Sequence, residues 1–257
     1  MHITKAGRII STLADWERYA PPKSPHHWVD GRSAKEVARA WLAGSGMALP
    51  SEVSAALDAH PKFGPVLCWE AEPEAKLRFD TFSGEPRNSD LMVIASDSKG
   101  PYVLAVEAKA DEPYGETVAE AFAAALERRI ANPRSKGISR IEGLVSLLLQ
   151  PREGAEPRAD ELRYQLLTAC AGAIAEALRR NVSRAVMLVH EFVTSATTDE
   201  KHERNAVDLQ RFLSRVAGTP VHPVADGQLY GPFAPPGNDG VELFIGKVSR
   251  NLRPKMR

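Results

Sequence analysis

Two acids and an amine stand out for what they could do together: Asp90, Glu107 and Lys109, which close the two ends of the stretch DLMVIASDSKGPYVLAVEAK, residues 90–109. Two carboxylates at one place can hold a divalent cation. An adjacent amine can orient or activate a water. The stretch has two apolar runs, residues 91–95 and 102–106, separated by the turn formers Ser96-Asp97-Ser98-Lys99-Gly100-Pro101, which predicts a β-hairpin. A turn centred between Ser98 and Lys99 sets Asp90 directly across from Glu107. Lys109 shares their face because side chains alternate along a strand. Like charges placed opposite each other destabilise a strand pair, so the cluster asks for a reason. On spacing alone two readings stay open: a cation held between Asp90 and Glu107, or a solvated strand end where Lys109 neutralises Glu107.

The elements that must position these groups follow from the pattern around them. Met92, Ile94, Val103 and Ala105 line one face of the hairpin, and Leu91, Val93, Leu104 and Val106 line the other. A strand that is oily on both faces is covered on both, so helices are expected on each side of the sheet. Upstream, Ser33-Ala34-Lys35-Glu36 has the form of a capping box, opening a helix with Val37, Ala38, Trp41 and Leu42 inward and ending at Gly44. A short helix over residues 51–60 follows. Ala75, Leu77 and Phe79 then alternate with charged residues in a half-exposed strand that has Glu74 at its start, and residues 84–88 turn into the hairpin. Downstream, helices are expected over residues 117–130 (Val118, Phe122, Ala125 and Leu126 buried), 138–149 and 160–180, the last being the longest. Residues 184–192 form an almost unbroken apolar strand, closed by His190 and Glu191. A strand-end histidine beside a glutamate reads as a hydrogen-bonded core residue.

Composition narrows the class. The chain has 257 residues, 43% hydrophobic and 26% charged, with 33 basic and 33 acidic side chains. That is ordinary for a soluble globular protein, and a formal charge of zero excludes a polybasic chain, so nucleic-acid contact has to come from a local patch. Arg128, Arg129, Arg134, Lys136 and Arg140 form the best such cluster, because backbone phosphates are bound mainly by charge. Its plain alternative is a solvated helix end. Cys68 and Cys170 sit in apolar surroundings and read as small core residues in a reducing compartment. No apolar run is long enough for a membrane helix and the N-terminus lacks a secretory pattern, so the expected address is the cytoplasm without a membrane partner.

Asp90 followed by Glu107-Ala108-Lys109 at the end of the next strand resembles the PD-(D/E)xK motif of restriction-endonuclease-like nucleases, with Ser89 where that motif has proline. The stretches RNSDLMVIA, VEAKADEPYG, RYQLL and AVMLVHEF resemble an uncharacterised bacterial branch of that superfamily, over about residues 33–192. The resemblance implies an α/β fold with a mixed central sheet in α-β-β-β-α-β order and helices on both faces. It implies that Asp90 and Glu107 hold magnesium, or manganese in its place, that the Ala108 carbonyl and Glu74 add ligands, and that Lys109 assists the attacking water. It also implies that Gln165 or Arg163 on the long helix reaches the metal or the scissile phosphate. Read from the residues alone, Arg163 instead pairs with a nearby carboxylate and Gln165 caps a buried backbone group.

Three segments of one domain are expected: residues 1–65 packed on the core, with Trp16, Tyr19 and Trp28 as anchors; a nuclease-like core over 66–195; and an extension over 196–257. The extension comprises a helix (Val207, Leu209, Phe212, Leu213, Val216) and a final hairpin whose connection includes Asn238 and Asp239, then a basic tail through Lys255 and Arg257. The expected activity is metal-dependent hydrolysis of DNA. The alternative is a nuclease-like module without catalysis that binds nucleic acid or regulates a partner. Duplex cleavage would favour a two-fold dimer.

Overall fold

The computed structural model describes residues 1–43, 48–152, 154, 156–237 and 240–253. Gly44, Asn238, Asp239, Lys255 and Arg257, invoked above, lie outside them. Eight strands form one mixed sheet: β1 (His2–Lys5), β2 (Arg8–Ile10), β3 (Cys68–Leu77), β4 (Arg87–Asp97), β5 (Gly100–Lys109), β6 (Arg184–Val193), β7 (Gln228–Phe233) and β8 (Glu242–Asn251), in the spatial order β2-β1-β3-β4-β5-β6-β8-β7. β3, β4 and β5 run antiparallel in turn, while β5, β6 and β8 are parallel neighbours.

The β4–β5 hairpin has the expected register, from Asp97 opposite Gly100 to Leu91 opposite Val106, leaving Asp90 and Glu107 as the next residues beyond the ladder. The turn is set by Asp97, whose carboxylate accepts from Lys99 N–H at 2.8 Å and pairs with Arg184 at 2.9 Å in the interior. Ion pairing with Arg184 and two backbone donors outweigh burial and hold this carboxyl below its usual range.

Helices cover both faces, as the double-sided oiliness requires. On one lie α4 (Val118–Ala131), α5 (Gly137–Leu148), α6 (Tyr164–Arg179) and α7 (Asp199–Ala217), packing with Met92, Val103, Ala105, Met187 and Ile245. On the other lie α1 (Leu13–Tyr19), α2 (Ser33–Leu42) and α3 (Ser51–Asp58), packing with Leu91, Val93, Leu104, Val106 and Leu188. Trp16 is buried here, with Tyr19 and Trp28 packed at its margin. His190 is a core histidine: its Nε2 meets Glu52 Oε1 at 2.8 Å, and Trp41 Nε1–H donates to Nδ1 at 3.4 Å.

Several expectations are corrected. Ser33 is the first helical residue of α2 and not its cap: its hydroxyl donates to Glu112, and Glu36 instead accepts from Gly31 N–H at 2.8 Å. Cys68 is exposed because it begins the solvent-facing row of β3 with Glu70 and Glu72, while Cys170 is buried. The helix placed over residues 160–180 begins at Tyr164, after a 3-10 turn at Ala159–Glu161, and α7 at 19 residues is longer than its 16. On α4 only the narrow row Val118, Ala121 and Ala125 is buried, leaving Phe122 and Leu126 exposed. Val207 on α7 is likewise exposed. The N-terminal segment adds two strands at the sheet edge. The C-terminal strands do form an antiparallel pair, but β8 is no appendage, since it lies between β6 and β7 with ten residue pairs to β6.

Glu74 sits inside β3 and not at its start, with a φ of 49°, a left-handed conformation that is costly for a residue with a side chain. Its effect is legible in the packing. Trp69 and Ala71 belong to the core under α2, but Ala75 and Leu77, of the same parity, belong to the opposite core under α6. The strand inverts its faces at this residue. Pairing of β3 with β4 lapses there too, between Pro73–Leu91 and Ala75–Ser89, the place where Glu74 and Asp90 face each other.

Candidate active site

The lapse in pairing is what frees Asp90. With the β4–β5 ladder ended at Leu91, the Asp90 carboxylate takes over a backbone role, accepting the Ala108 N–H on Oδ2 at 2.7 Å. Among the described residues no hydrogen bond reaches Oδ1. Burial and the charge of Glu107 push the Asp90 carboxyl up to about 8, against the weaker pull of Lys109 and of Ala108 N–H. Glu74 rises to about 7, chiefly through burial, with Lys5 and Asn88 opposing. Its Oε2 accepts from Asn88 Nδ2 at 3.3 Å, and Lys5 Nζ donates to its backbone carbonyl at 2.7 Å.

Glu107 is in the opposite condition. It is buried, yet Lys109 and Arg87 outweigh the cost of burial and hold its carboxyl below the usual range. Oε1 accepts from Lys109 Nζ at 2.9 Å and from Gln165 Nε2 at 2.5 Å, and Oε2 is taken by Arg87. Gln165, in the first turn of α6, also accepts from Lys109 Nζ at 3.1 Å through Oε1, so its side chain does not cap a backbone group. Lys109 is pushed above the ordinary lysine value, because Glu107, Asp90 and Glu112 together overcome its burial. It is therefore a charged donor at neutral pH and not a base. Its ammonium also lies 5.3 Å from the centre of the buried Tyr114 ring.

The fold thus gathers Asp90, Glu107, Ala108, Lys109, Glu74 and Gln165 at one end of the β3–β4–β5 strands. Sequence reasoning missed Arg87, which donates to Thr168 Oγ1 at 2.8 Å as well as to Glu107, and Asn88. Both fall where a turn was expected. Spacing gave no signal for Arg87, since a residue three before Asp90 on a regular strand faces the other way; it reaches the α6 side because its β3 partner Leu77 lies there, beyond the inversion. Arg163 stands apart: it immediately precedes α6 and its side chain donates to Asp208 Oδ2 and to the Gly115 carbonyl, both at 2.9 Å, which is the carboxylate pairing its residue type suggested. Arg129 donates to the Ser135 carbonyl and Arg140 pairs with Asp80 at 2.6 Å, while Arg128, Arg134 and Lys136 line a cleft.

For a cation, the donors with oxygens to spare are Asp90 and Glu74, since Glu107 is occupied on both oxygens. Among the described residues, no three His, Cys, Asp or Glu side chains are grouped so as to hold a metal ion. Magnesium needs fewer: one or two carboxylates with waters suffice. A half-buried carboxyl that keeps its proton beside a second acid, with one oxygen unengaged, fits such an ion, which would displace the proton.

These features describe a mixed α/β protein in which an eight-stranded sheet, covered by helices on both faces, carries a polar cluster at one end of its central strands. Residues 9–252 match a family described as a domain of unknown function, DUF6946, and the chain belongs to it. No curated protein and no solved structure matches the chain.

Proposed function

We propose that the chain is a metal-dependent nuclease of the restriction-endonuclease-like type, hydrolysing phosphodiester bonds of DNA at the Asp90–Glu107–Lys109 cluster. The observation that carries this reading is the contrast between neighbouring acids: Asp90 has an unengaged oxygen and a raised carboxyl beside a Glu107 kept ionised by Lys109 and Arg87. A group of repelling acids maintained in this way gains from a cation. With α3, α4 and α5 as additions to it, the order α2, β3, β4, β5, α6, β6 is also that expected of such nucleases. Magnesium, or manganese, would bind through Asp90 with Glu74 and the Ala108 carbonyl as further donors, and when bound supplies a polarised phosphate and an acidified water.

The chain's own groups do the rest. Lys109 spends two donors on Glu107 and Gln165 and lines a pocket with Tyr114 and Tyr164, so its third N–H, which has no partner among the described residues, can hold a water or a phosphate oxygen. Glu107 fixes that ammonium, and Arg87 fixes Glu107. Asp90 would hold the cation as a carboxylate anchored through Oδ2 by the Ala108 N–H.

One observation favours the second reading, a nuclease-like module without catalysis. Glu107 is saturated by Arg87, Lys109 and Gln165, a satisfied network that needs no ion. Thermal unfolding with and without magnesium or manganese separates the two. The enzyme reading expects a higher melting temperature with metal, lost in Asp90→Asn. Indifference to metal in the wild type favours the binding module.

A further inference from the structure

The pocket at Lys109 shares Glu116 and Tyr164 with a larger cleft of about 790 Å³, bounded by residues 82–85 of the β3–β4 connection and by the turn between α4 and α5. Arg128, Arg134 and Lys136 line this cleft, and among the described residues their side chains make no ion pair or hydrogen bond, unlike Arg129 and Arg140 beside them. The acids of the cleft sit at its ends. Glu116 lies at the junction with the Lys109 pocket, and Glu85 at the junction with the groove that holds Glu74. The stretch between is cationic.

Phe82 adds a second, different feature. Its ring is half-exposed and belongs to neither core, whereas Phe79, three residues earlier, packs under the helices. The loop that presents it is braced: Phe82 N–H donates to Asp80 Oδ1 at 3.0 Å, Arg78 donates to its carbonyl at 2.6 Å, and Arg140 ties Asp80 to α5. An aromatic face held out beside unpaired cations suits a base with its face uncovered, next to phosphates. In a duplex that face is covered by the neighbouring pair.

We propose that this cleft takes a single-stranded stretch of nucleic acid, with its phosphates along Arg128, Arg134 and Lys136 and a base on Phe82, leading the strand to Lys109 and Gln165. The last step rests on the nuclease reading; the binding does not.

The test is fluorescence anisotropy of a labelled oligothymidylate and of a fully paired duplex of equal length, with EDTA present, across a salt series. The single strand should bind more tightly than the duplex. Phe82→Ala should weaken it roughly tenfold. Arg134→Gln with Lys136→Gln should lower the magnitude of the salt slope by about 1.4, since each phosphate contact on a single strand contributes about 0.7. Circular dichroism confirms that the variants fold. Equal or tighter binding of the duplex, or wild-type affinity and slope in both variants, would overturn the proposal. Binding that meets these expectations in a protein that cuts nothing would leave the cleft assignment standing and remove the catalytic one.

Discussion

At the scale of the residue, the site is a division of protons among neighbouring acids. Asp90 and Glu107 follow the same hairpin out of its ladder, yet one is pushed up by burial and the other is held down by Lys109 and Arg87. The consequence for stability has a definite sign. An unfolded Asp90 loses its proton near 3.8, whereas the folded one keeps it to about 8. Between those values the folded state binds more protons, so its stability falls as pH rises. Asp90→Asn removes that loss. In thermal melts without metal, the variant should match the wild type near pH 4 and gain on it progressively up to pH 8; a gap that does not change with pH would contradict the assignment. Glu107 should behave differently. Glu107→Gln removes the carboxylate that pairs with both cations and leaves the buried Arg87 without its ion-pair partner, and breaking a buried pair in this way costs about 3–5 kcal/mol. Denaturant unfolding should show that loss, and a smaller one in Lys109→Ala, where Arg87 still pairs with Glu107.

At the scale of the element, β3 is the strand with two identities. Its left-handed Glu74 turns the same parity of side chains from one core to the other and opens the gap in which Asp90 is released. A left-handed residue with a side chain costs about 1–2 kcal/mol over glycine. Glu74→Gly should therefore be more stable than Glu74→Ala by about that amount in denaturant unfolding, and equal stabilities would mean that the conformation is not the constraint. No residue type signals this inversion, since glycine is absent at position 74. That explains why Glu74 reads from the pattern as the start of a strand. The β4–β5 hairpin was legible for the opposite reason: a two-residue turn between apolar runs fixes register, and register fixes which carboxylate meets which. Arg87 was hidden by its surroundings, because Gly84, Pro86 and Asn88 are turn formers and the strand nevertheless begins among them. On α4 the helix was legible but its buried face was not, for alanines fill the narrow contact while Phe122 and Leu126 point outward.

At the scale of the whole molecule, the sheet is assembled from both ends of the chain. β1 and β2 extend one edge, and β8 inserts beside β6. α7 and β8 bring Leu209, Phe212, Leu213, Leu243, Phe244, Ile245 and Val248 into the cores, all of them fully or nearly fully buried. At about 1.5–3 kcal/mol each, seven such side chains together match or exceed the roughly 5–15 kcal/mol by which a domain is stable. Truncation after residue 195 should thus leave a chain without a cooperative unfolding transition, although the strands of the candidate site are all retained. A cooperatively folded fragment would show that the C-terminal elements are dispensable. The order of helices and strands from α2 to β6 followed from periodicity, whereas β1, β2 and α1 before it did not. The return of β8 into the sheet did not, since a run of alternating residues carries no statement of which neighbour it will take.

The most direct test of the central claim is incubation of the purified protein with plasmid and single-stranded DNA, with and without magnesium or manganese, beside Lys109→Ala. Metal-dependent cutting that is lost in the variant is the expected result. Cutting that persists in Lys109→Ala, or no cutting by the wild type in either metal, would contradict a phosphodiesterase site at the end of this hairpin.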